Sequence, residues 1–225
     1  MDKTTQTLAN YVTDLNYNQL PASTLHETRK RLVDAIACGI GGCASEPAEI
    51  ARRVAANISG QPPARVFGTG KPTSMEMAAF ANAVMVRYLD FNDTYISKGS
   101  GHPSDMIPAL LAVAEAQRCS GKDALLAVVI AYEVYTALAD VIALRDRGWD
   151  QGVFAVLGSA AGVAKLLKLT REQTGDALAI AVSANIPTRQ TRSGELSMWK
   201  GVATPAAVRA GVAAVLVHVG VVRNA

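Results

Sequence analysis

The stretch Gly158-Ser-Ala-Ala-Gly-Val-Ala-Lys-Leu-Leu167 is apolar on nearly every face that a helix would present, and it is rich in Ala and Gly. Residues 176–184 have the same character. Because small side chains let helix axes approach closely, such segments are typical of the inside of a helical bundle or of a subunit interface. We therefore expect a helical core and, since a large interface of this kind favours a symmetric pair, a homodimer.

Helical spacing extends outward from this stretch through most of the chain. Apolar residues recur at every third or fourth position and almost nowhere alternate, which predicts an all-α fold, a multi-helix bundle. Pro21 and Pro47 fit first helical positions, and Ser104 and Thr170 are placed as N-caps. A short extended segment is expected near residues 64–69, where the pattern changes. The predicted helices span residues 4–15, 21–43, 47–58, 73–88, 105–119, 122–144, 154–167, 171–184 and 201–219.

Length and composition limit the class of protein. A chain of 225 residues with 50% hydrophobic and 18% charged residues can bury a sizeable core as one large domain or two small ones. The net charge of +3 comes from scattered basic residues, and only 5% of the residues are aromatic. This composition lacks the basic stripe and the stacking surface of a nucleic-acid-binding protein, so we predict no nucleic-acid partner.

The cysteines argue against disulfides and metal sites. Cys38, Cys43 and Cys119 lie inside apolar helical patterns, and an odd count in a chain of this length is not a disulfide framework. A structural zinc site needs closely spaced Cys or His pairs, which these residues do not form. We predict reduced cysteines in the core and no bound metal.

Two further features concern the compartment and the membrane. Residues 1–6 are polar and contain no apolar signal-like run, so we expect a cytoplasmic protein. Residues 124–144 are apolar over about the length of a membrane span, but Glu133 and Asp140 interrupt them. Each charge would cost about 2.5–3.5 kcal/mol near a bilayer centre, so we predict a buried bundle helix and no membrane partner.

A polar island separates the last two apolar helices. It reads Arg189-Gln-Thr-Arg-Ser-Gly-Glu-Leu-Ser-Met-Trp-Lys-Gly201 and combines Arg189, Arg192 and Lys200 with hydroxyls and a carboxylate. Binding and catalysis concentrate on loops of this kind, whose ends are held by rigid helices. The three cations predict a site for an anion, and guanidinium groups suit bidentate pairing with carboxylates.

A second polar island, residues 87–105, is expected to be its partner. It contains Asp90, Asp93 and Thr94, and it ends in Lys98-Gly-Ser-Gly-His-Pro-Ser-Asp105, where glycines allow close backbone approach to a ligand. The His102 imidazole exchanges protons near neutral pH, so with nearby carboxylates it supplies acid and base candidates. Turn chemistry alone would explain Asp93 well, but it explains poorly why so many ionisable groups gather in one loop.

Four motifs in this order resemble the MmgE/PrpD family: Leu89-Asp-Phe-Asn-Asp-Thr94, His102-Pro-Ser104, Gly148-Trp-Asp-Gln-Gly152 and Trp199-Lys-Gly201. The resemblance runs from near the N-terminus to about residue 220. It implies that residues 1–225 form a single domain of the all-helical type found at the N-terminus of the family. Longer members have a second, α+β domain that closes over the pocket. We expect this domain to be missing here, so that water weakens the charge interactions in an open cleft.

The resemblance also assigns residues to the site. Four positions that match the family motifs are implied to line the catalytic pocket: Asp90, Thr94, His102 and Lys200. Four further polar side chains of the two islands are candidates for substrate binding: Arg189, Arg192, Ser104 and Lys98. Some members, including decarboxylases, have a histidine where this chain has Trp149-Asp-Gln151, so that substrate contact is expected to be absent.

The family includes 2-methylcitrate dehydratase, cis-aconitate decarboxylase and iminodisuccinate epimerase, so the resemblance implies a small carboxylate substrate. Dehydration of a citrate-like acid needs a base, an acid and cations for the carboxylates. No cysteine cluster suits an iron–sulfur centre, and we expect a cofactor-independent lyase. In it His102 is the acid or base, Asp90 orients it, Thr94 hydrogen-bonds the substrate and Lys200 binds a carboxylate together with the arginines. A dicarboxylate epimerase or isomerase, and a non-catalytic helical dimerisation module, are the alternatives.

Overall fold

Helices form nearly all of the regular structure. The computed structural model describes residues 1–222, and in that part of the chain it contains nine α-helices, an all-α fold. Short 3₁₀ turns lie at Tyr17–Gln19, Pro103–Met106, Leu144–Arg147 and Arg189–Arg192. The helices are α1 (Lys3–Asp14), α2 (Ala22–Gly42), α3 (Glu46–Ala56), α4 (Met75–Tyr88), α5 (Ile107–Ala116), α6 (Gly121–Val141), α7 (Gly152–Leu166), α8 (Arg171–Ala184) and α9 (Trp199–Val222).

Most helix boundaries follow the signals read from the sequence. The α8 boundaries are those predicted, because the Thr170 hydroxyl accepts the N–H of Gln173 and the Gln173 carboxamide accepts the N–H of Thr170. Pro21 and Pro47 lie at the starts of α2 and α3, each displaced by one position from the place predicted for it. Side-chain capping thus defines the starts of α1, α3, α6 and α8.

The predicted N-cap role of Ser104 is wrong. Ser104 lies inside the 3₁₀ turn Pro103–Met106 and is fully buried. Its N–H donates to Oδ1 of Asp93 over 2.9 Å, so a carboxylate from the preceding loop satisfies the N–H group. The turn starts before Ser104 because Pro103, which suits a first helical position, begins it and leads directly into α5.

The extended segment is a minimal hairpin. β1 (Ala64–Arg65) pairs antiparallel with β2 (Pro72–Thr73), and Ala64 lies opposite Thr73. β1 falls within the predicted segment, whereas β2 occupies residues where the sequence predicted the start of a helix. The Thr73 hydroxyl accounts for the difference, because it donates to the carbonyl oxygen of Ala55 at the end of α3 over 2.8 Å. This bond holds Thr73 in the hairpin, and α4 begins two residues later.

α7 is the central helix of the bundle. All but two of its residues are buried, and it packs against α5, α6, α8 and α9. Its Phe154 ring meets the Tyr135 ring of α6 edge to face, with the ring centroids 5.3 Å apart. The helix that is apolar on nearly every face is therefore buried by other helices of the same chain, without a partner subunit. The homodimer stays a prediction, and light scattering at micromolar concentration tests it.

Two long apolar helices pack within this bundle. α6 and the described part of α9 are long and apolar enough, by length and composition, to cross a membrane, and 50% and 56% of their most apolar windows are buried inside the protein. The charges that interrupt α6 lie at its surface, where Asp140 accepts a 2.7 Å hydrogen bond from the Tyr95 hydroxyl. This burial matches the prediction of a bundle helix for α6.

The two polar islands meet at one end of the bundle. The Pro103–Met106 turn contacts α4, α6, α7 and α9, and the Arg189–Arg192 turn contacts α9. Lys200 in the first turn of α9 reaches the loop that follows α4. Asp90 and Lys200 are 110 residues apart in the sequence, and the packing of the helices brings their side chains together.

The close approach of α6 and α7 depends on a glycine at position 162. A Cβ atom there would lie 2.9 Å from the Ala127 carbonyl oxygen and 2.5 Å from the Leu110 side chain. We expect Gly162→Ala to lower the free energy of unfolding by about 1–3 kcal/mol through overpacking, which outweighs the helix preference of alanine. Gly121→Ala, in open space at the start of α6, should leave stability unchanged or raise it. Urea denaturation followed by circular dichroism measures both variants, and equal midpoints would contradict this account of the packing.

Candidate active site

Asp90 lies just beyond the end of α4 in a backbone conformation that residues other than glycine seldom adopt. Its φ angle is 59°, and its N–H donates to the carbonyl oxygen of Arg87 over 3.1 Å. Holding such a residue in the left-handed region costs on the order of 1–2 kcal/mol, and strain of this kind concentrates at functional sites. The strained residue carries a carboxylate that is 46% exposed to solvent.

Three groups able to carry positive charge surround the Asp90 carboxylate. Arg87 donates from Nη1 to Oδ1, and the Nε2 atom of His102 lies 3.6 Å from the same oxygen. The Nζ atom of Lys200 lies 3.5 Å from the other oxygen, Oδ2. These groups come from the end of α4, the loop before α5 and the start of α9. We call Asp90, His102 and Lys200 the Asp90 cluster.

The charge of Asp90 is stabilised by its neighbours. Burial by itself would raise the pKa of the Asp90 carboxyl, but the hydrogen bond and the charge of Arg87, together with His102 and Lys200, hold that pKa below its ordinary value of 3.8. Asp90 is therefore a carboxylate throughout the neutral pH range. It can stabilise positive charge that develops on His102.

The hydrogen bonds of His102 define its tautomer. Nδ1 lies 2.8 Å from the carbonyl oxygen of Asp93, and because a carbonyl oxygen only accepts, Nδ1 must carry the hydrogen. In the neutral ring Nε2 is then the basic nitrogen, and it is the atom that faces Asp90. The Thr94 hydroxyl lies 3.4 Å from the same Nδ1 atom. The geometry presents a proton acceptor next to a carboxylate.

Burial and a nearby cation keep His102 neutral. Burial lowers the pKa of the imidazole from its ordinary value of 6.5, and the Arg87 charge lowers it further. The hydrogen bond to the Asp93 carbonyl and the charge of Asp90 oppose this effect only in part. A neutral imidazole at physiological pH is the form that a general base requires.

Asp93 organises the loop that carries His102. Its Oδ1 accepts the N–H of Ser104 over 2.9 Å, and its Oδ2 accepts the hydroxyl of Tyr132 in α6 over 2.8 Å. Its backbone oxygen binds the His102 ring. Both carboxylate oxygens are thus used within the protein, which agrees with the turn-forming explanation of Asp93.

A buried polar network lies beneath the Asp90 cluster. The Arg87 side chain is 3% exposed, and its Nε atom lies 3.4 Å from Oδ2 of Asp105, which is fully buried. Asn92 donates from Nδ2 to Oδ1 of Asp105 over 2.8 Å and to the Ser104 hydroxyl over 2.9 Å. Burial raises the pKa of Asp105, and the charge of Arg87 together with the hydrogen bond from Asn92 opposes that rise. The network connects the His102 loop to the end of α4.

A second buried pair holds the start of α9. Arg192 forms an ion pair with Asp150, which is 1% exposed, and donates to the Thr204 hydroxyl over 3.1 Å. Its Nη1 atom also reaches the carbonyl oxygen of Lys200 at 3.4 Å. The Arg192 guanidinium is thus engaged in positioning the segment that carries Lys200. The Arg189 side chain, by contrast, forms no hydrogen bond or ion pair with any residue that the structure describes.

The two other substrate-binding candidates lie outside the cluster. Ser104 is fully buried and bonded to Asn92. Lys98 is exposed in a turn. The N–H of the next residue, Gly99, donates a hydrogen bond to the carbonyl oxygen of Ala139 near the end of α6. Of the eight predicted positions, the structure therefore brings Asp90, Thr94, His102 and Lys200 together, while the substrate-contacting roles of the rest stay predictions.

The cluster is open to water. The side chains of Asp90 and Lys200 are 46% and 41% exposed, and Thr94 is exposed as well. Within residues 1–222, no group of three or more His, Cys, Asp and Glu side chains is arranged to hold a metal ion. The chemistry that the described residues offer is proton transfer at His102 and charge stabilisation by Asp90, Arg87 and Lys200.

Sequence reasoning missed the buried partners of the cluster. Arg87, Asn92 and Asp105 lie inside the second polar island, but none was predicted to have a role. Asp150 was considered only as part of a motif that resembles the family and lacks the histidine of some members. A signal was present: Arg87 follows a run of apolar residues in α4, and a charge on a buried face requires a partner. The identity of that partner depends on the tertiary fold.

The chain is similar to known proteins over the region that contains the candidate site. A family model described as the MmgE/PrpD N-terminal domain matches residues 6–221. The mitochondrial 2-methylcitrate dehydratase of Yarrowia lipolytica is 32% identical over 193 residues, which cover 80% of this chain and 36% of that protein. The 2-methylcitrate dehydratase of Cupriavidus necator is 30% identical over 189 residues, 78% of this chain and 39% of that protein. Cis-aconitate decarboxylase of Homo sapiens is 31% identical over 196 residues, 80% of this chain and 39% of that protein.

These relatives are much longer than the present chain. Its matched part spans between 36% and 39% of the length of these three relatives. The family model's match, residues 6–221 of this chain, contains the whole of the Asp90 cluster.

The tautomer and pKa of His102 are open to direct measurement. We expect a pKa below 6.5 and, above it, a neutral ring with its hydrogen on Nδ1, because the Asp93 carbonyl oxygen fixes that atom as the donor. Two-dimensional ¹H–¹⁵N spectra of the imidazole across pH 4–9 report both properties. A neutral ring protonated on Nε2, or a pKa above 6.5, would refute the assignment of His102 as a base.

Proposed function

The chain belongs to the MmgE/PrpD family, and from this membership and the geometry of the Asp90 cluster we propose that it acts in the cofactor-independent dehydration of a small tri- or dicarboxylic acid such as 2-methylcitrate. The observation that carries the proposal is that His102 and Lys200 lie 3.6 and 3.5 Å from the two oxygens of the partly exposed Asp90 carboxylate. Relatives named 2-methylcitrate dehydratase support the dehydratase type of reaction.

His102 removes the proton in this proposal. Its Nε2 lone pair takes a proton from the carbon next to a substrate carboxylate, which leaves the imidazolium beside Asp90. The positive charge that forms on His102 is then stabilised by the carboxylate 3.6 Å away. Asp90 thus stabilises the protonated form of the base, and the proton that the base takes up comes from the substrate.

The elimination balances without any other reactant. The electron pair of the broken C–H bond forms the carbon–carbon double bond as the C–O bond on the neighbouring carbon breaks. The hydroxyl that departs takes up a proton and leaves as water. The imidazolium of His102 returns that proton, so the enzyme regains its starting state.

Lys200 binds a substrate carboxylate in this proposal. Its ammonium is partly exposed and attached to Asp90 by one 3.5 Å contact, which leaves two of its hydrogens for an incoming anion. A cation next to the carboxylate also stabilises the negative charge that develops as the adjacent carbon loses its proton. Arg189, whose guanidinium is unpaired among the described residues, is the second candidate for a carboxylate of the substrate.

The proposed activity has a direct spectroscopic test. The purified chain is incubated with 2-methylcitrate while the ultraviolet absorbance of the new conjugated double bond is recorded, and exchange of the substrate proton in D₂O is followed by NMR. A rise in absorbance is the expected result. Proton exchange without a rise would replace the dehydratase with an epimerase, and the absence of both would favour a non-catalytic helical module.

Variants identify the side chains responsible. We expect His102→Gln and Lys200→Ala each to lower kcat/KM by about 100-fold or more, because each removes a group that contacts the reacting atoms or their charge. Lys122→Ala is the matched control. Lys122 lies at the start of α6, whereas the Tyr95–Asp140 contact beside the site loop lies at the other end of that helix. Unchanged turnover in Lys200→Ala with an ordinary KM would remove Lys200 from the site.

A further inference from the structure

Arg87 is a buried guanidinium with two carboxylate partners of opposite character. Its side chain is 3% exposed. Asp90 lies on the solvent side and is 46% exposed, whereas Asp105 is completely enclosed. A guanidinium removed from water needs a carboxylate partner, and the Nε atom of Arg87, which forms no hydrogen bond within residues 1–222, has the enclosed Asp105 carboxylate 3.4 Å away as its ion-pair partner.

Asp105 is fixed much more firmly than Asp90. Its Oδ1 accepts the 2.8 Å bond from Asn92, a residue that is itself 3% exposed, and its N–H donates to the carbonyl oxygen of His102 over 3.1 Å. The Asp90 carboxylate has the bond from Arg87, but its contacts to His102 and Lys200 are 3.6 and 3.5 Å long. The orientation of Asp90 therefore depends mainly on where Arg87 lies.

We propose that Asp105 is a positioning residue of the site, which holds the Arg87 guanidinium so that Arg87 in turn holds the Asp90 carboxylate against His102 and Lys200. Asp105 touches no reacting atom in this arrangement. Its effect on turnover rests on the proposed function, but its effect on the neighbours of Asp90 does not. The two can therefore be tested separately.

A purely structural role for Asp105 would have a different signature. A buried ion pair is a costly way to stabilise a fold, and well-packed apolar residues often serve as well. If Asp105 acted only as a buried negative charge, it would influence His102 directly, whatever residue stood at position 90. If Asp105 acts by positioning, its influence must pass through Asp90.

A double-mutant cycle on the His102 pKa separates these alternatives. Asp90 raises the His102 pKa, so releasing its carboxylate lowers that pKa. We expect Asp105→Asn to lower the His102 pKa by about 0.5 when Asp90 is present, and by less than half as much in the Asp90→Asn background. Equal shifts in the two backgrounds, or no shift in either, would overturn the proposal. The imidazole NMR titration of the 225-residue chain supplies all four values.

Asp140→Asn is the matched control for the loss of a carboxylate near the same loop. Asp140 binds the Tyr95 hydroxyl and has no contact with Arg87 among the described residues, so this variant should leave the coupling between positions 90 and 105 intact. Circular dichroism and thermal melting confirm the fold of each variant. Should Asp105→Asn fail to fold, Arg87→Lys takes its place, since an ammonium lacks the rigid planar fork that lets the guanidinium approach both carboxylates from one fixed orientation, and the same non-additivity is expected.

Turnover gives a second readout once the dehydratase assay yields a signal. We expect Asp105→Asn to lower kcat by about 10-fold while KM changes by less than about 3-fold, because Lys200 and Arg189 still bind the substrate. A chain without turnover would refute the proposed function and leave the pKa cycle valid. A coupled His102 pKa with unchanged kcat would refute the positioning role in catalysis.

Discussion

The buried guanidinium of Arg87 connects the helical core to the candidate site. It lies at the end of α4, between an enclosed carboxylate, Asp105, and an exposed one, Asp90. Removing a guanidinium from water is costly, and the folded chain tolerates it because two carboxylates lie next to it, one of which, Asp105, is fixed by a hydrogen bond from Asn92. The exposed partner, Asp90, has a left-handed backbone conformation. Core packing and site geometry therefore depend on one side chain.

The bundle supports this arrangement from two directions. The loop after α4 is fixed by Asp93, which binds the Tyr132 hydroxyl of α6 and orients the His102 ring. The start of α9 is fixed by the Asp150–Arg192 pair, which places Lys200 opposite Asp90. Close packing of α7 with its neighbours restrains these distances, because the helix axes approach closely at its glycine and alanine positions and have little room to shift. Reactive groups on loops thus gain the rigidity of the helices.

The sequence predicts local features of this protein well and its long-range partners poorly. Helix α8 and its Thr170 cap follow from residues that are neighbours in sequence. The cap at Ser104 was wrong because a distant carboxylate, Asp93, supplies the acceptor. The Arg192 guanidinium, predicted to bind substrate, forms an ion pair with Asp150. Periodicity and capping depend on local chemistry, whereas the partner of a buried charge depends on which helices meet, and no local pattern encodes that.

The central claim is that His102 and Lys200 face one binding site across Asp90. The most direct test is an NMR titration with propane-1,2,3-tricarboxylate, an unreactive tricarboxylic acid, that follows the His102 Nε2 and Lys200 Nζ resonances together. A shared site predicts that both resonances shift with one dissociation constant, while the Nζ resonance of Lys122 is unaffected. Different dissociation constants for the two, or a response at Lys122 alone, would contradict the account.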